Sequence, residues 1–154
     1  MLSEESKKKI EDLKQRYQKP QSVILAALWL YQDEHGWISD EGMKEVAEIV
    51  GLPYHHVLGV VTFYTMFNKK PVGKHKIEVC TNVSCMIKNS DKILQHIQER
   101  LNIGIGETTP DKRFTLVEAE CLGACGGAPA MQVGDAYYEN LDPGKIDTIL
   151  NELK

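Results

Sequence analysis

Residues 76–85 read KIEVCTNVSC, and residues 113–127 read RFTLVEAECLGACGG. Both segments begin with alternating apolar and β-branched residues, which predict a short strand, and both then present a pair of cysteines. The sequence therefore predicts two strands that each lead into a cysteine-bearing loop. The chain contains four cysteines, and all of them lie in these two segments: Cys80, Cys85, Cys121 and Cys125.

The spacing of the cysteines favours an iron-sulfur cluster over other thiol chemistry. Four residues separate the members of the first pair and three separate those of the second, so neither pair is the CxxC of zinc knuckles or of thioredoxin-like dithiols. Cluster ligands tolerate wider spacing, and a 2Fe-2S cluster presents two irons that each take two thiolates. A structural zinc site, disulfides and free thiols remain open as alternatives.

Small and polar residues surround the cysteines. Gly123 lies inside the second pair and residues 126–127 are both glycine, so the main chain can bring amide N–H groups close to sulfur. In the first loop, Asn82 and Ser84 either support the ligands by hydrogen bonds or simply form the turn. The sequence leaves open whether the bond preceding Pro129 is cis or trans.

Composition and charge exclude several functional classes. A chain of 154 residues with 42% apolar content can bury a hydrophobic core. The 18 basic and 22 acidic residues give a net charge of −4, so we do not expect a nucleic-acid partner. The longest apolar run, residues 23–31, is far shorter than the roughly 20 residues of a membrane helix, so we expect no direct membrane insertion.

The N-terminal segment MLSEESKKKIEDLK, residues 1–14, is charged where a signal peptide needs an apolar stretch. Its acidic residues also do not fit a transit peptide. We therefore expect a cytoplasmic protein that reaches the cytoplasmic face of a membrane only through partner subunits. In a reducing cytoplasm, cysteines are expected to be ligands rather than disulfides.

The first seventy residues have the apolar spacing and end signals of helices. Residues 60–67, VVTFYTMF, combine strand propensity with a helical context. We interpret the side chains at positions 63, 64, 66 and 67 as packing between the helical region and the cysteine-bearing domain. The expected helix starts are Ser3, Ser22, Ser39 or Asp40, and Pro53, and the expected stops are Pro20, Gly36 and Gly51.

Residues 68–74, NKKPVGK, mark the expected domain boundary, because the hydrophobic period changes after them. We expect an α+β protein with helices over residues 1–72 and a β-α-β-β-α domain over residues 73–154. Both cysteine pairs would then follow strand ends, where open sheets place their ligands. In the second domain, the expected helices begin at Ser90 or Asp91 and at Pro143, and a hairpin turns at Gly134-Asp135.

No other motif carries a recognisable chemistry. The chain lacks the glycine-rich signatures of nucleotide binding and the GxSxG of acyl transfer, and we assign no catalytic residue. The five histidines are scattered and form no Rieske-type Cys-x-His pair.

Four motifs, taken in order, resemble the NADH-quinone oxidoreductase E-subunit family, the small 2Fe-2S subunit of respiratory complex I. The resemblance spans nearly the whole chain, with both cysteine spacings intact. The motifs are VTFYTMF, PVGKHKIEVCTNVSC, GETTPDKRFTL and ECLGACGGAPAMQV.

The resemblance implies a helical bundle followed by a thioredoxin-like 2Fe-2S ferredoxin domain. It implies that Cys80, Cys85, Cys121 and Cys125 hold one 2Fe-2S cluster, and that the chain transfers electrons as a non-catalytic subunit. The implied partners are a flavoprotein that binds NADH and FMN and further iron-sulfur subunits. The equivalent subunit of an NAD-linked or electron-bifurcating hydrogenase or formate dehydrogenase is the main alternative. A structural zinc interaction module and a thiol-disulfide oxidoreductase are more remote alternatives.

Overall fold

The computed structural model describes residues 1–153. They divide into two compact units, with the division between Pro71 and Val72. Within the described residues, the helices are all too short or too polar to cross a membrane.

The first unit consists of helices. Ser3 and Ser39 cap two of them by accepting hydrogen bonds from the N–H groups of Ser6 and Gly42, as predicted. The unit contains α1 (Glu4–Arg16), a 3-10 helix (Pro20–Val23), α2 (Ile24–His35), α3 (Asp40–Val50) and α4 (Tyr54–Phe63).

The helix ends follow the predicted signals with one exception. Gly36 and Gly51 adopt positive φ angles of 77° and 81° and end α2 and α3. Ser22 does not cap α2, because it lies inside the 3-10 helix that Pro20 opens, and α2 begins only at Ile24. The predicted cap at Ser22 is therefore wrong.

Helix α4 includes the first four residues, 60–63, of the stretch whose propensity favoured a strand. Val57 and Val61 lie one helical turn apart and are both buried, so tertiary packing overrides β propensity here. The core of this unit is formed by residues from all four helices, including Ile10, Ala27, Leu28, Val46, Val50, Val57 and Val61.

The interpretation of the side chains at positions 63, 64, 66 and 67 as packing between the helical region and the cysteine-bearing domain is wrong for the three that are exposed, and Phe67 packs in the core of the first unit. The Phe67 side chain is 2% exposed, and its ring lies 5.7 Å from that of Trp29. In contrast, Phe63 is 77% exposed, and Tyr64 and Met66 are also exposed. The reason is helical geometry: Phe63 lies two positions beyond Val61, so it points away from the face of α4 that faces the core.

The second unit has the predicted β-α-β-β-α order with one additional short helix. Its elements are β1 (His75–Cys80), α5 (Val83–Ile87), α6 (Ser90–Leu101), β2 (Phe114–Ala119), a 3-10 helix (Cys125–Gly127), β3 (Met131–Val133), β4 (Ala136–Tyr138) and α7 (Pro143–Glu152). The additional helix, α5, carries Cys85, so this cysteine does not lie in the predicted loop.

The four strands form one mixed sheet in the order β2-β1-β3-β4. Strands β1 and β2 are parallel, whereas β3 is antiparallel to β1 and to β4. The predicted hairpin is confirmed: β3 and β4 are joined at Gly134, which has a positive φ of 57°. Because β1 and β2 run in the same direction, their carboxyl ends meet at one edge of the sheet, and this edge is where the cysteines begin.

The core of the second unit lies between the sheet and helices α6 and α7. Ile77, Leu116 and Met131 from the strands and Ile97 and Ile146 from the helices are completely buried. Outside this core, His96 on α6 contacts the carboxylate of Asp147 on α7 at 3.1 Å. The packed sheet gives the cysteine-bearing segments a rigid base.

Candidate metal centre

The parallel pairing of β1 and β2 brings the two cysteine segments together. Cys80 is the last residue of β1 and pairs with Ala119, which lies two residues before Cys121. The N–H of Thr81 donates to the Ala119 carbonyl at 3.1 Å, so the pairing continues just past the strand. As a result, the thiols of Cys85 and Cys121 lie close enough to Cys80 to help lower its pKa.

Helix α5 turns Cys85 back toward Cys80. The Asn82 side chain accepts a hydrogen bond from the N–H of Val83 at 2.8 Å and starts the helix, so its side chain forms the turn. Cys85 lies on the inner side of this helix and is only 1% exposed.

The second cysteine segment has a different exposure. Cys121 and Cys125 are both exposed, unlike Cys80 and Cys85. Gly123 between them has a positive φ of 72°, and its N–H donates to the Sγ of Cys121 at 3.4 Å, which confirms the expected approach of an amide to sulfur. The peptide bond between Ala128 and Pro129 that follows is cis.

Glycine is required at one further position of this segment. Gly127 is buried at the end of the 3-10 helix that begins at Cys125, and a Cβ atom there would overlap the Glu139 side chain. The Gly127 carbonyl also accepts a hydrogen bond from the N–H of Asn140 at 2.6 Å. These contacts hold the segment against the two residues that follow β4.

The two buried thiols have opposite pKa shifts. Burial raises the pKa of Cys80, but interactions with the backbone N–H groups of Asn82 and Leu122 and with the neighbouring thiols outweigh it, so the pKa lies below the ordinary value. Burial and the adjacent Cys80 raise the pKa of Cys85, and the N–H of Ala130 only partly opposes this. Cys80 is therefore the better thiolate of this pair.

The surroundings of the buried thiols are apolar. Cys80, Cys85 and Ala130 form a small buried cluster, against which Leu122, Ala124 and Ala128 pack. Since few polar side chains compete for the sulfurs, the backbone N–H groups are their main hydrogen-bonding partners.

The sequence did not predict that α5 would expose an apolar face beside the cysteines. Val83, Met86 and Ile87 are 61%, 61% and 75% exposed, although they flank the buried Cys85. The signal was present in the sequence as three apolar residues around one cysteine, but five residues are too few to reveal which side of a helix is buried.

Over residues 1–153, His, Cys, Asp and Glu side chains form no group of three or more that could hold a metal ion. A tetrahedral zinc site needs four ligands around one ion, whereas each iron of a 2Fe-2S cluster takes two protein ligands.

The sequence profile of the thioredoxin-like [2Fe-2S] ferredoxin family matches residues 10–154. The chain belongs to this family, whose members carry a single 2Fe-2S cluster and transfer electrons.

Two relatives that match nearly the whole chain are more specific. The second NADH-quinone oxidoreductase E subunit of Rhizobium meliloti (strain 1021) is 43% identical to this chain over 96% of this chain and 88% of the relative. The NADH-quinone oxidoreductase E subunit of Rickettsia bellii (strain RML369-C) is 43% identical over 94% of this chain and 88% of the relative. These matches confirm the predicted membership of the E-subunit family.

Two longer proteins contain a similar part. The mitochondrial NADH dehydrogenase [ubiquinone] flavoprotein 2 of Dictyostelium discoideum is 40% identical over 99% of this chain, which spans 63% of that relative. The crystal structure of an NAD+-reducing [NiFe]-hydrogenase in the air-oxidized state contains a similar region, with a TM-score of 0.73 and 22% sequence identity. The match covers 84% of this chain and 22% of the hydrogenase chain. The hydrogenase therefore shares the fold.

Proposed function

We propose that Cys80, Cys85, Cys121 and Cys125 hold one 2Fe-2S cluster in an electron-transfer subunit of an NADH-quinone oxidoreductase-type complex. The main support is the meeting of the four thiols at one edge of the sheet, which the pairing of Cys80 with Ala119 produces. When bound, the cluster supplies one-electron transfer, which no side chain of this chain provides.

The hydrogen-bond donors around the cysteine sulfurs fit a 2Fe-2S cluster. Backbone N–H groups of Asn82, Leu122, Ala130 and Gly123 interact with three of the four sulfurs. These contacts stabilise thiolate charge, which a ligated cysteine must carry. The exposure of Cys121 and Cys125 leaves one side of the site accessible from outside the chain.

We further propose that the partner is a flavoprotein that binds NADH and FMN, with further iron-sulfur subunits beyond it. The chain lacks a nucleotide-binding motif of its own, so NADH oxidation would take place in another subunit. The exposed apolar side chains of Val83, Met86 and Ile87 beside the thiols support a protein partner at this face. The names of the relatives favour a respiratory NADH dehydrogenase over a hydrogenase or formate dehydrogenase.

We also propose that residues 1–72 and 73–154 are separate domains of a cytoplasmic protein. Each part contains its own hydrophobic core. Limited trypsin digestion tests the boundary, since Lys69 is exposed just before it. Two protease-resistant fragments divided near this residue are expected, and a first cleavage inside either core would contradict the proposal.

The function is tested with the full chain purified anaerobically and mixed with the flavoprotein from the same organism. We expect the visible absorption of an oxidised 2Fe-2S cluster to bleach when NADH is added, but only when the flavoprotein is present. Bleaching by NADH without the flavoprotein, or no bleaching with it, would contradict the proposed partner. A colourless protein that contains zinc would exclude the cluster.

A further inference from the structure

The first unit contains none of the four cysteines, but it has an exposed surface that does not contribute to its own hydrophobic core. Residues 54–67, YHHVLGVVTFYTMF, contain no Asp, Glu, Lys or Arg, although 26% of the chain is charged. A surface helix normally carries charged and polar residues on the side that faces away from the core. Here α4 buries Val57 and Val61 on one side and leaves the opposite side exposed.

The exposed side of α4 has a defined shape. A Cβ atom added to Gly59 would meet no other atom within 4 Å, so this glycine leaves an open notch on the helix. The Phe63 and Tyr64 rings pack edge to face with their centroids 5.0 Å apart and form one wall of the notch. We call this the α4 surface, a shallow cavity of about 400 Å³ lined by His55, His56, Gly59, Val60, Phe63 and Tyr64.

The chemistry of the α4 surface matches that of a protein interface. Exposed aromatic side chains and Met are enriched where two proteins meet, and Phe63 at 77% exposure has no role in the core. An unfilled notch beside a rigid aromatic pair suits one branched aliphatic side chain of a partner.

Charge around the α4 surface indicates the kind of partner. Residues 49–71 contain no Asp or Glu, whereas Lys69 and Lys70 are both exposed. At the start of α4, the Asp40 carboxylate accepts a hydrogen bond from the Tyr54 hydroxyl and pairs with Lys44 at 2.5 Å. The segment that carries the α4 surface therefore has no acidic residue and ends in two exposed lysines, on a chain whose net charge is −4.

We propose that the α4 surface docks a different subunit of the same complex, which presents an aliphatic side chain to Gly59 and acidic side chains to Lys69 and Lys70. This inference rests on the proposed function in one respect, namely that the chain works as a subunit of a complex. A second copy of the chain is a poorer occupant, because a two-fold contact would bring the same exposed lysines to both sides.

Photo-crosslinking in the assembled complex tests the occupant. A photoreactive phenylalanine analogue is placed at Phe63 or, as a control, at Tyr17, which is also exposed in the first unit. We expect position 63 to crosslink to another subunit, at an apolar segment bordered by Asp or Glu, and position 17 to give no such product. A crosslink to a second copy, no crosslink, or equal products from both positions would overturn the proposal.

The contributions of charge and shape to docking of the α4 surface are tested with variants of the full chain. Each variant is produced together with the other subunits of the complex. We expect Phe63→Glu to reduce the fraction of the chain retained in the complex by at least about tenfold, and Tyr17→Glu to leave it unchanged. Lys69→Glu with Lys70→Glu should weaken retention at low salt and less so at high salt. Tighter binding by this double variant would show that the partner's border is not acidic and would overturn the proposal.

Iron and sulfide content separates this proposal from the proposed function. We expect every variant to keep the iron and sulfide content of the wild type, since none lies in the cysteine-bearing unit. Absence of a cluster in the wild type would contradict the proposed function and leave the retention measurement valid. Unchanged retention of Phe63→Glu in a cluster-loaded chain would contradict the docking proposal alone.

Discussion

Cys80 pairs with Ala119 across the parallel strands β1 and β2, and Cys121 follows two residues later. This one register brings cysteines from distant parts of the sequence to the same edge of the sheet. The Cys80 sulfur interacts with the N–H groups of Asn82 and Leu122, one from each cysteine-bearing segment. Both segments therefore stabilise negative charge on the same sulfur. This register therefore supports the proposal that the four thiols form one site.

Replacing one thiol should have a larger effect than changing a neighbouring side chain. We expect Cys121→Ser to lose most of the bound iron, because a proposed ligand is removed. Ser84→Ala should retain nearly all of it, since Ser84 is at most a supporting contact. Iron and acid-labile sulfide per chain, measured after anaerobic purification, check the prediction, and equal contents in the two variants would contradict it.

The cysteines of the reduced, cluster-free chain should differ in their rates of alkylation. Cys121 and Cys125 are exposed and should react first with iodoacetamide. Of the buried pair, Cys80 should react before Cys85, because its pKa is lowered while that of Cys85 is raised. Peptide mass spectrometry at successive times measures the order, and an early reaction of Cys85 would show that the thiols are arranged differently.

The first unit should not tolerate a methyl group at Gly42. A Cβ atom there would overlap the ring of the buried Tyr31, so we expect Gly42→Ala to lower the free energy of unfolding by about 1–3 kcal/mol. Gly59→Ala is the matched control: its Cβ would meet open space on a helix, and it should raise stability by about 0.5–1 kcal/mol. Urea unfolding followed by circular dichroism measures both. Equal stabilities would refute the packing of Tyr31 on α3.

The contact of α1 with α2 should depend on pH through Glu34. Its carboxylate accepts hydrogen bonds at 2.5 Å from the hydroxyls of Ser3 and Ser6, and also from the N–H of Ser3. These bonds lower the pKa of Glu34 from 4.5 to about 2. A lowered native pKa stabilises the fold fully above the unfolded value, and this stabilisation is lost as the pH falls from 4.5 toward 2.

We therefore expect Glu34→Gln to lower the Tm at pH 7 and to flatten the fall of the Tm between pH 4.5 and 2. Glu48→Gln, at an exposed position of α3, should change neither. Thermal unfolding at a series of pH values checks both variants. If the Glu34 variant kept the wild-type pH dependence, the serine contacts would not exist in solution.

Local features of the structure followed from the sequence because their causes are local. Ser3 and Ser39 are caps, Gly36 and Gly51 are stops, and Gly134 turns the hairpin, and in each case the residue itself supplies the required bond or φ angle. The four cysteines were identified in the same way, from their count and spacing.

The features that sequence reasoning missed depend on contacts between distant residues or on very short segments. Helix α5 is too short to show a helical period, so the burial of Cys85 and the exposure of Met86 could not be separated. The apolar run that ends at Phe67 contains no charged residue. A sequence pattern alone does not show which side of such a run packs against the core of the same chain. The prediction that Phe63 packs between the two regions is therefore wrong, because its side chain is exposed.

The central claim is tested most directly by the metal and sulfide content of the full chain purified under strictly anaerobic conditions. We predict two irons and two acid-labile sulfides per chain, with an electron paramagnetic resonance signal that appears on one-electron reduction. One zinc per chain, with no acid-labile sulfide and no such signal, would contradict the account.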